Sequence, residues 1–514
     1  MSALIRVLFL IVSMPALAAC DSGNDRKDSD SGGNGGPQRG TLTQSPPSRV
    51  ASLSAADIAA ALGGSAESQL ILEISGAPKC RVDVYQIQYN TIGPANEPIT
   101  ASGALMVPAG IDEACTGNRP VVLYGHGTST DKAYNIANVQ NKDNLEGILM
   151  ALVFVSQGYI VVAPNYAGYD TSSLSYHPYL NAEQSANDMT DALSAARSAL
   201  PTADAPTTRA SDKLFITGYS EGGHAAMATH RALQNAGKSV TASAPMSGPY
   251  ALSAFGDAVF YGQVNGRAPL LLTFIATGYQ RAYGNIYAQP TDFFESQFAP
   301  GIDTLLPTTL SRSELYAQGK LPRDALFDAT PPDPAYAQYT PATQPEALAR
   351  VFALGFGSPH LITNSYRLAY LQDAQAHPDG AFPNTTDVAP PANPQNGLRQ
   401  AFKRNDLRDW TPTAPVLLCG GTDDPTVFFM NTQIMQAYWA PSAAPVTVLD
   451  VDSSPVADDP YKNIKDQFDI AKQLVAAAGI VEGRDPEEAV LEAYHSTLVP
   501  PFCLAAVRRF FDAR

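Results

Sequence analysis

The 514-residue chain has no run of lysine or arginine, and its formal net charge is −16. Without a basic face it has nothing to hold a phosphate backbone, which excludes nucleic acid as a partner and excludes docking on anionic lipid by charge. Past the N-terminus no continuous apolar stretch reaches the length of a membrane span, so no later helix is expected to cross a bilayer. No internal repeat is evident. Histidine is scarce, with seven in all, which leaves few candidates for acid–base work. Cysteine is scarcer still, at five, and Cys20 belongs to the N-terminal segment. The remaining four form an even set, which in an exported chain suggests two disulfides. Cys80 and Cys115 flank an apparent pair of antiparallel strands, and Cys419 and Cys503 both lie in the C-terminal third. The expected bridges are therefore Cys80–Cys115 and Cys419–Cys503.

What is present begins with a targeting pattern. Met1 to Arg6 carries one basic residue, and Val7 to Ala16 is apolar but too short to span. Leu17-Ala-Ala-Cys20 resembles the bacterial lipobox, in which the cysteine is lipidated and becomes the mature N-terminus. Residues 1–20 are thus expected to be a lipoprotein signal peptide, with Cys20 as the anchor to a membrane of the bacterial cell envelope and the protein facing the periplasm or the exterior. Residues 21–49 are polar and of low complexity, so they are expected to be a disordered tether. The remainder, 50–514, is 465 of 514 residues long; with 45% of the whole chain hydrophobic it can bury a sizeable core.

Ala51–Gly64 has a helical pattern. Arg81–Tyr89 and Ile99–Val107 alternate with period two, as half-exposed antiparallel strands do. Pro120–Tyr124, Tyr159–Ala163, Lys213–Thr217, Val240–Ala244, Pro415–Leu418 and Pro445–Val451 are short continuous apolar runs, and helical segments separate them. That alternation predicts an α/β protein with a mostly parallel central sheet and helices on both faces. Between about 252 and 410 it stops. This stretch is rich in Tyr, Phe, Ala and Pro, with helix-like pieces such as Leu270–Tyr283, and is expected to be a large, mostly helical cap over the sheet's C-terminal edge.

Gly218-Tyr-Ser-Glu-Gly222 lies where an apolar strand gives way to a helix. This is the context of a nucleophile elbow: the glycines permit the sharp turn, and Ser220 is held out at the top of the sheet beside a helix N-terminus. A serine hydroxyl needs a base within hydrogen-bond reach, and the base needs an acid to fix its tautomer. In such folds the order is serine, acid, histidine. Buried strand 415–418 leads straight into Asp423 and Asp424, and either could serve. His495 is the only histidine after them; His126, His177, His224, His230, His360 and His377 all precede the acid. Two backbone N–H donors are needed for an oxyanion. Glu221, next to the serine, supplies one. The Gly125-His-Gly-Thr128 loop supplies the other, from Thr128 or, alternatively, Gly127.

These pieces, with Val161–Tyr169, His177-Pro-Tyr-Leu180, Ala244–Tyr250 and Asp424-Pro-Thr-Val427, resemble the α/β-hydrolase fold esterases of the secretory lipase (lipase A-like) family and its bacterial relatives. The resemblance spans roughly 80–500 and is weakest across 252–410. It implies a carboxylic ester hydrolase with a helical cap, a Ser220–His495–Asp424 triad, no metal and no cofactor, acting on a small-molecule, lipid or polyester ester. It selects Asp424 over Asp423 through the spacing Gly-x-x-Asp-x-x-Val. Two features depart from it. Glu221 stands where relatives often carry Gln, and the interval between Val451 and His495 is long. The competing readings are a serine peptidase of the same fold and a catalytically inert envelope binding lipoprotein.

Overall fold

The computed structural model describes residues 38–62, 64–141, 144–204, 207–383 and 386–514. The signal segment 1–20, Cys20 and the tether as far as residue 37 lie outside the described residues. The tether expected over 21–49 ends sooner than its composition suggests. Gly40 and Thr43 donate backbone hydrogen bonds to Asn90 and Gln88 (2.8 and 2.9 Å), and Leu42 bridges Tyr89. Backbone pairing of this kind needs no apolar side chain, so composition does not reveal it.

One nine-stranded sheet organises the molecule. Its strands are β1 (Ser48–Leu53), β2 (Arg81–Ile92), β3 (Pro98–Ala109), β4 (Gly117–Gly125), β5 (Ile160–Pro164), β6 (Thr208–Tyr219), β7 (Ala242–Met246), β8 (Val416–Gly420) and β9 (Val446–Asp450). The spatial order is β1-β2-β3-β5-β4-β6-β7-β8-β9. β1, β2 and β3 are antiparallel, as is the β3–β5 contact. From β5 to β9 all pairs are parallel. The helix expected from residue 51 starts later, at Ala55–Leu62, because Ser48–Leu53 adds an edge strand to β2.

The β2–β3 hairpin is more buried than its alternation suggests. One face packs on Leu149 and Leu152, the other on Met189 and Leu193 of helix Ala182–Ala199. Both faces are covered throughout the parallel part. Helices Leu145–Val153, Lys462–Val481 and Val499–Asp512 lie on one side, and Ala182–Ala199, Glu221–Asn235 and Met430–Tyr438 on the other. The whole is an α/β-hydrolase fold.

Between β7 and β8 the chain adds no strand to the sheet. Helices Leu252–Phe260, Ala268–Tyr283, Asn364–Ala376 and Gly397–Asn405 gather a second apolar core around Phe260, Phe293 and Tyr370. Arg399 is buried there and pairs with Asp257 and Asp373 (both 2.8 Å), and buried Arg408 pairs with Asp379 and Asp406 (both 2.7 Å). Buried guanidinium groups with all forks engaged pin these loops to one arrangement; removing one partner would leave an uncompensated charge.

Among the described residues one helical segment, Pro486–Asp512, has the length and composition of a membrane span, and it is mostly buried. No uninterrupted apolar run marks it, since polar residues fall on one side. Phe502, Val507 and Phe511 of this segment pack in the core beneath the sheet, which accounts for its hydrophobicity.

Two disulfides are present, Cys80–Cys115 and Cys419–Cys503, with Cα separations of 5.5 and 5.7 Å. The second ties β8 to helix Val499–Asp512 and closes an interval of 84 residues, worth up to about 5 kcal/mol by chain entropy. Replacing Cys419 and Cys503 together by alanine should lower unfolding stability by about 2–4 kcal/mol. Urea denaturation of the variant checks this; an unchanged midpoint would show that the bridge carries no stabilisation.

Candidate active site

β6 runs out at Tyr219, and Ser220 takes φ 58° and ψ −118° before helix Glu221–Asn235 begins. A side chain in that region is strained by about 1–3 kcal/mol. The surroundings hold it there. The Ser220 N–H donates to Met246 O of β7 (3.0 Å). Gly218 and Gly222 pass so close to one another and to the Gly125 backbone that a β-carbon at either would collide with main chain. The Gly-x-Ser-x-Gly pattern is thus a steric requirement of the crossing between β4 and β6.

β8 ends at Gly420, and the next loop turns Asp424 inward. Its Oδ1 accepts the N–H groups of Thr426 and Val427 (2.9 and 3.0 Å). Its Oδ2 accepts from His495 Nδ1 at 2.7 Å. His495 Nε2 lies 2.8 Å from Ser220 Oγ. The structure therefore brings Ser220, His495 and Asp424 into one hydrogen-bonded line. Asp423 stands outside it, half-buried, its N–H donating to Tyr494 Oη (3.3 Å). Asp424 is 1% exposed and His495 7%, whereas Ser220 keeps 9%. The acid is sealed while the hydroxyl still meets the cavity.

The long interval between β9 and His495 is filled by helices Lys462–Val481 and Pro486–Ala493. His495 then sits in a single π-helical turn, Tyr494–Leu498, before helix Val499–Asp512. Such a bulge shifts side chains out of helical register and is common at functional sites. Tyr219 Oη donates to the His495 carbonyl (2.7 Å), bracing the turn from the residue beside the serine.

The two candidate donors of the Gly125–Thr128 loop differ in their hydrogen bonding because of a residue that sequence reasoning missed. Glu146, at the start of helix Leu145–Val153, accepts the Gly127 N–H with both carboxylate oxygens (3.1 and 3.0 Å) and the Tyr124 hydroxyl (2.6 Å). Burial raises its pKa above the ordinary carboxylate range. Gly127 N–H is therefore occupied. The backbone N–H groups of Thr128 and Glu221 have no acceptor among the described residues. Nothing in the local sequence around Leu145 announces this role, because the contact joins residues 19 apart through the fold.

The Glu221 carboxylate does not confront the serine. Its Oε1 meets His177 Nε2 at 2.5 Å, and His177 Nδ1 donates to Ala167 O at 2.9 Å. Burial alone would lower the His177 pKa, but the Glu221 charge and hydrogen bond outweigh it and raise it. His177 reaches the site as a brace for the residue after the serine. Nearby Asp188 is pushed up to about 7 by burial, against the Ala167 N–H and Gln184 that it accepts. His224 and His230 are packed in the interior, their pKa lowered to about 4 by burial. Among the described residues no cluster of three or more His, Cys, Asp or Glu could hold a metal ion.

Ser220 and His495 open into a cavity of about 590 Å³. Gly127 and Thr128 line its floor. Leu252, Phe255, Val259 and Leu270–Leu272, all from the segment between β7 and β8, form its roof. Polar side chains, among them Asn135, Asn138 and Asn144, line the rest of the wall.

A model of the prolyl oligopeptidase family matches residues 148–266, the stretch that carries the elbow. No curated protein matches the chain. Among solved structures, a ligand-bound form of the rice cell wall degrading esterase LipA from Xanthomonas oryzae is 26% identical, with TM-score 0.65 and coverage of 93% of this chain and 100% of that one. Another structure of the same esterase is 28% identical, with TM-score 0.62 over 87% of this chain and 100% of that one. A putative hydrolase from Legionella pneumophila, at 21% identity and TM-score 0.59 over 83% and 96%, shares the fold. An elbow serine on a nine-stranded, mostly parallel sheet and these likenesses converge: the chain is a serine hydrolase of the α/β-hydrolase fold.

Proposed function

We propose that the chain is a carboxylic ester hydrolase that works through a Ser220–His495–Asp424 triad and an acyl-enzyme. The observation that carries this reading is the unbroken line from Asp424 Oδ2 through His495 to Ser220 Oγ, 2.7 and 2.8 Å, ending in a cavity with an aliphatic and aromatic roof. Asp424 holds the proton on Nδ1, so the Nε2 lone pair faces the hydroxyl. His495 takes the Ser220 proton as the oxygen attacks the ester carbonyl. The N–H groups of Glu221 and Thr128 receive the negative charge that develops on the carbonyl oxygen. The imidazolium then protonates the leaving alcohol. Water, deprotonated by the same nitrogen, releases the acid and restores the serine. No cofactor enters this cycle.

Ester rather than peptide bonds are favoured by the aliphatic and aromatic roof and by the likeness to the rice cell wall degrading esterase at 26–28% identity. The prolyl oligopeptidase match, over 148–266, gives a peptidase reading its one specific support. A panel of p-nitrophenyl esters of graded acyl length, run beside chromogenic peptides, decides between them. Turnover is expected on esters; turnover confined to peptides would reverse the assignment.

The acid separates from its neighbour by mutation. Asp424→Asn should lower kcat on the order of 10⁴-fold through loss of the correct tautomer, whereas Asp423→Asn should cost far less. Equal losses would contradict the assignment.

Export fits two disulfides, which persist in oxidising compartments. We place the anchor at Cys20 on the lipobox pattern. In cells, Cys20→Ala should shift the protein from the detergent phase to the aqueous phase with unchanged specific activity on a soluble ester. Continued membrane partition would overturn the anchor.

A further inference from the structure

Four charged side chains reach the wall of the cavity above Ser220, and they are not equivalent. The two carboxylates are engaged: Glu146 with Gly127 and Tyr124, and Asp131 with the Ala133 N–H at 2.9 Å. The two guanidinium groups, Arg267 and Arg312, are not. Neither has a hydrogen bond, ion pair or ring contact with any described residue. Buried Arg399 and Arg408 each hold two carboxylates, whereas Arg267, largely withdrawn from solvent at the cavity wall, holds none; Arg312 beside it is exposed. An unmet guanidinium forfeits five donors in a planar fork suited to a carboxylate.

The backbone shows that Arg267 is placed deliberately. Its φ is +65°, a left-handed conformation that a long side chain adopts only when its surroundings impose it. They do so from the acid loop. Asn265 Nδ2 donates to Thr426 O (2.8 Å), and the Gly266 N–H donates to Pro425 O (2.8 Å). Thr426 in turn donates its N–H to Asp424. Arg267 is therefore mounted, through two hydrogen bonds, on the same loop that orients the triad. Its backbone position relative to the triad is set by the scaffold.

The groups that face it leave it cationic and unsatisfied. Arg267 is half-buried; burial, then the like charge of Arg312, lowers its pKa, and Tyr316 and Glu492 oppose this weakly. Glu492 is itself bound to Arg484 at 2.9 Å. Two like charges held near each other at the cavity wall are stabilised by an anion between them, and no described carboxylate forms an ion pair with either.

We infer that Arg267, with Arg312 at its side, is an anion subsite, and that the preferred substrates are esters whose acyl part carries a carboxylate remote from the scissile bond. This deepens the ester hydrolase reading and rests on it. The Arg267 fork would take the carboxylate bidentately, the apolar roof would cover the intervening carbons, and the carbonyl would lie at Ser220. The overall negative field of the protein repels free anions, so a preference for an anionic ester has to come from a local site.

The test compares p-nitrophenyl monoesters of dicarboxylic acids of graded length with the same compounds capped as methyl esters. The readout is the ratio of kcat/KM for the anionic ester to that for its neutral counterpart. At the best length the ratio should be about ten or more, as for a charge-assisted contact in a partly buried site. It should fall with added salt, which screens the pair. Arg267→Gln should bring the ratio close to that of the shortest, unreaching ester, Arg267→Lys should retain part of it, and exposed Arg312→Gln should reduce it. A ratio at or below one at every length, or one that Arg267→Gln leaves unchanged, overturns the subsite. Failure to turn over any member of either series would instead overturn the ester hydrolase reading.

Discussion

The left-handed turn at Ser220 is the constraint on which the rest of the site depends. It exists because β4 and β6 lie side by side, closely enough that only hydrogen fits at Gly218 and Gly222. The turn costs energy locally. The packed sheet, the Ser220 N–H bond to Met246 and the helix that follows offset that cost. In return the hydroxyl projects from the sheet edge, and the next N–H, that of Glu221, has no acceptor among the described residues. Both features follow from one backbone conformation.

Around that turn the protein buries more ionisable groups than a plain core would tolerate, and each has a positional task. Glu146 takes the Gly127 N–H and leaves Thr128 as the open donor of its loop. Glu221 and His177 clamp the start of the elbow helix from the side away from the reaction. Tyr219 ties the serine's neighbour to the turn that holds His495. A carboxylate or imidazole in such a place is costly unless it is hydrogen-bonded, and each of these is. Half-buried Arg267 is the exception, and the anion proposed for it would remove the exception.

Much of the site was legible because its elements are local or ordered along the chain. Strand–Gly-x-Ser-x-Gly–helix is a short-range pattern, and a single histidine follows the acid. The sequence leaves Thr128 and Gly127 open because Glu146, which takes the Gly127 N–H, comes from another helix. The β2–β3 hairpin was read as half-exposed because period-two alternation does not show that helix Ala182–Ala199 covers its second face. The ordered end of the tether was missed for a different reason: its pairing with Gln88 and Asn90 is made by main chain, which no side-chain pattern encodes. Arg267 carries no sequence signal because an arginine in a loop is ordinary; its positive φ comes from the fold.

The central claim is that Ser220 is a nucleophile activated by His495. Incubation of the intact protein with a fluorophosphonate, followed by peptide mass spectrometry, addresses it directly. The account predicts one covalent adduct per chain, on the peptide containing Gly218-Tyr-Ser-Glu-Gly222 and localised to Ser220. A protein that stays unlabelled, or an adduct on another serine, would contradict it.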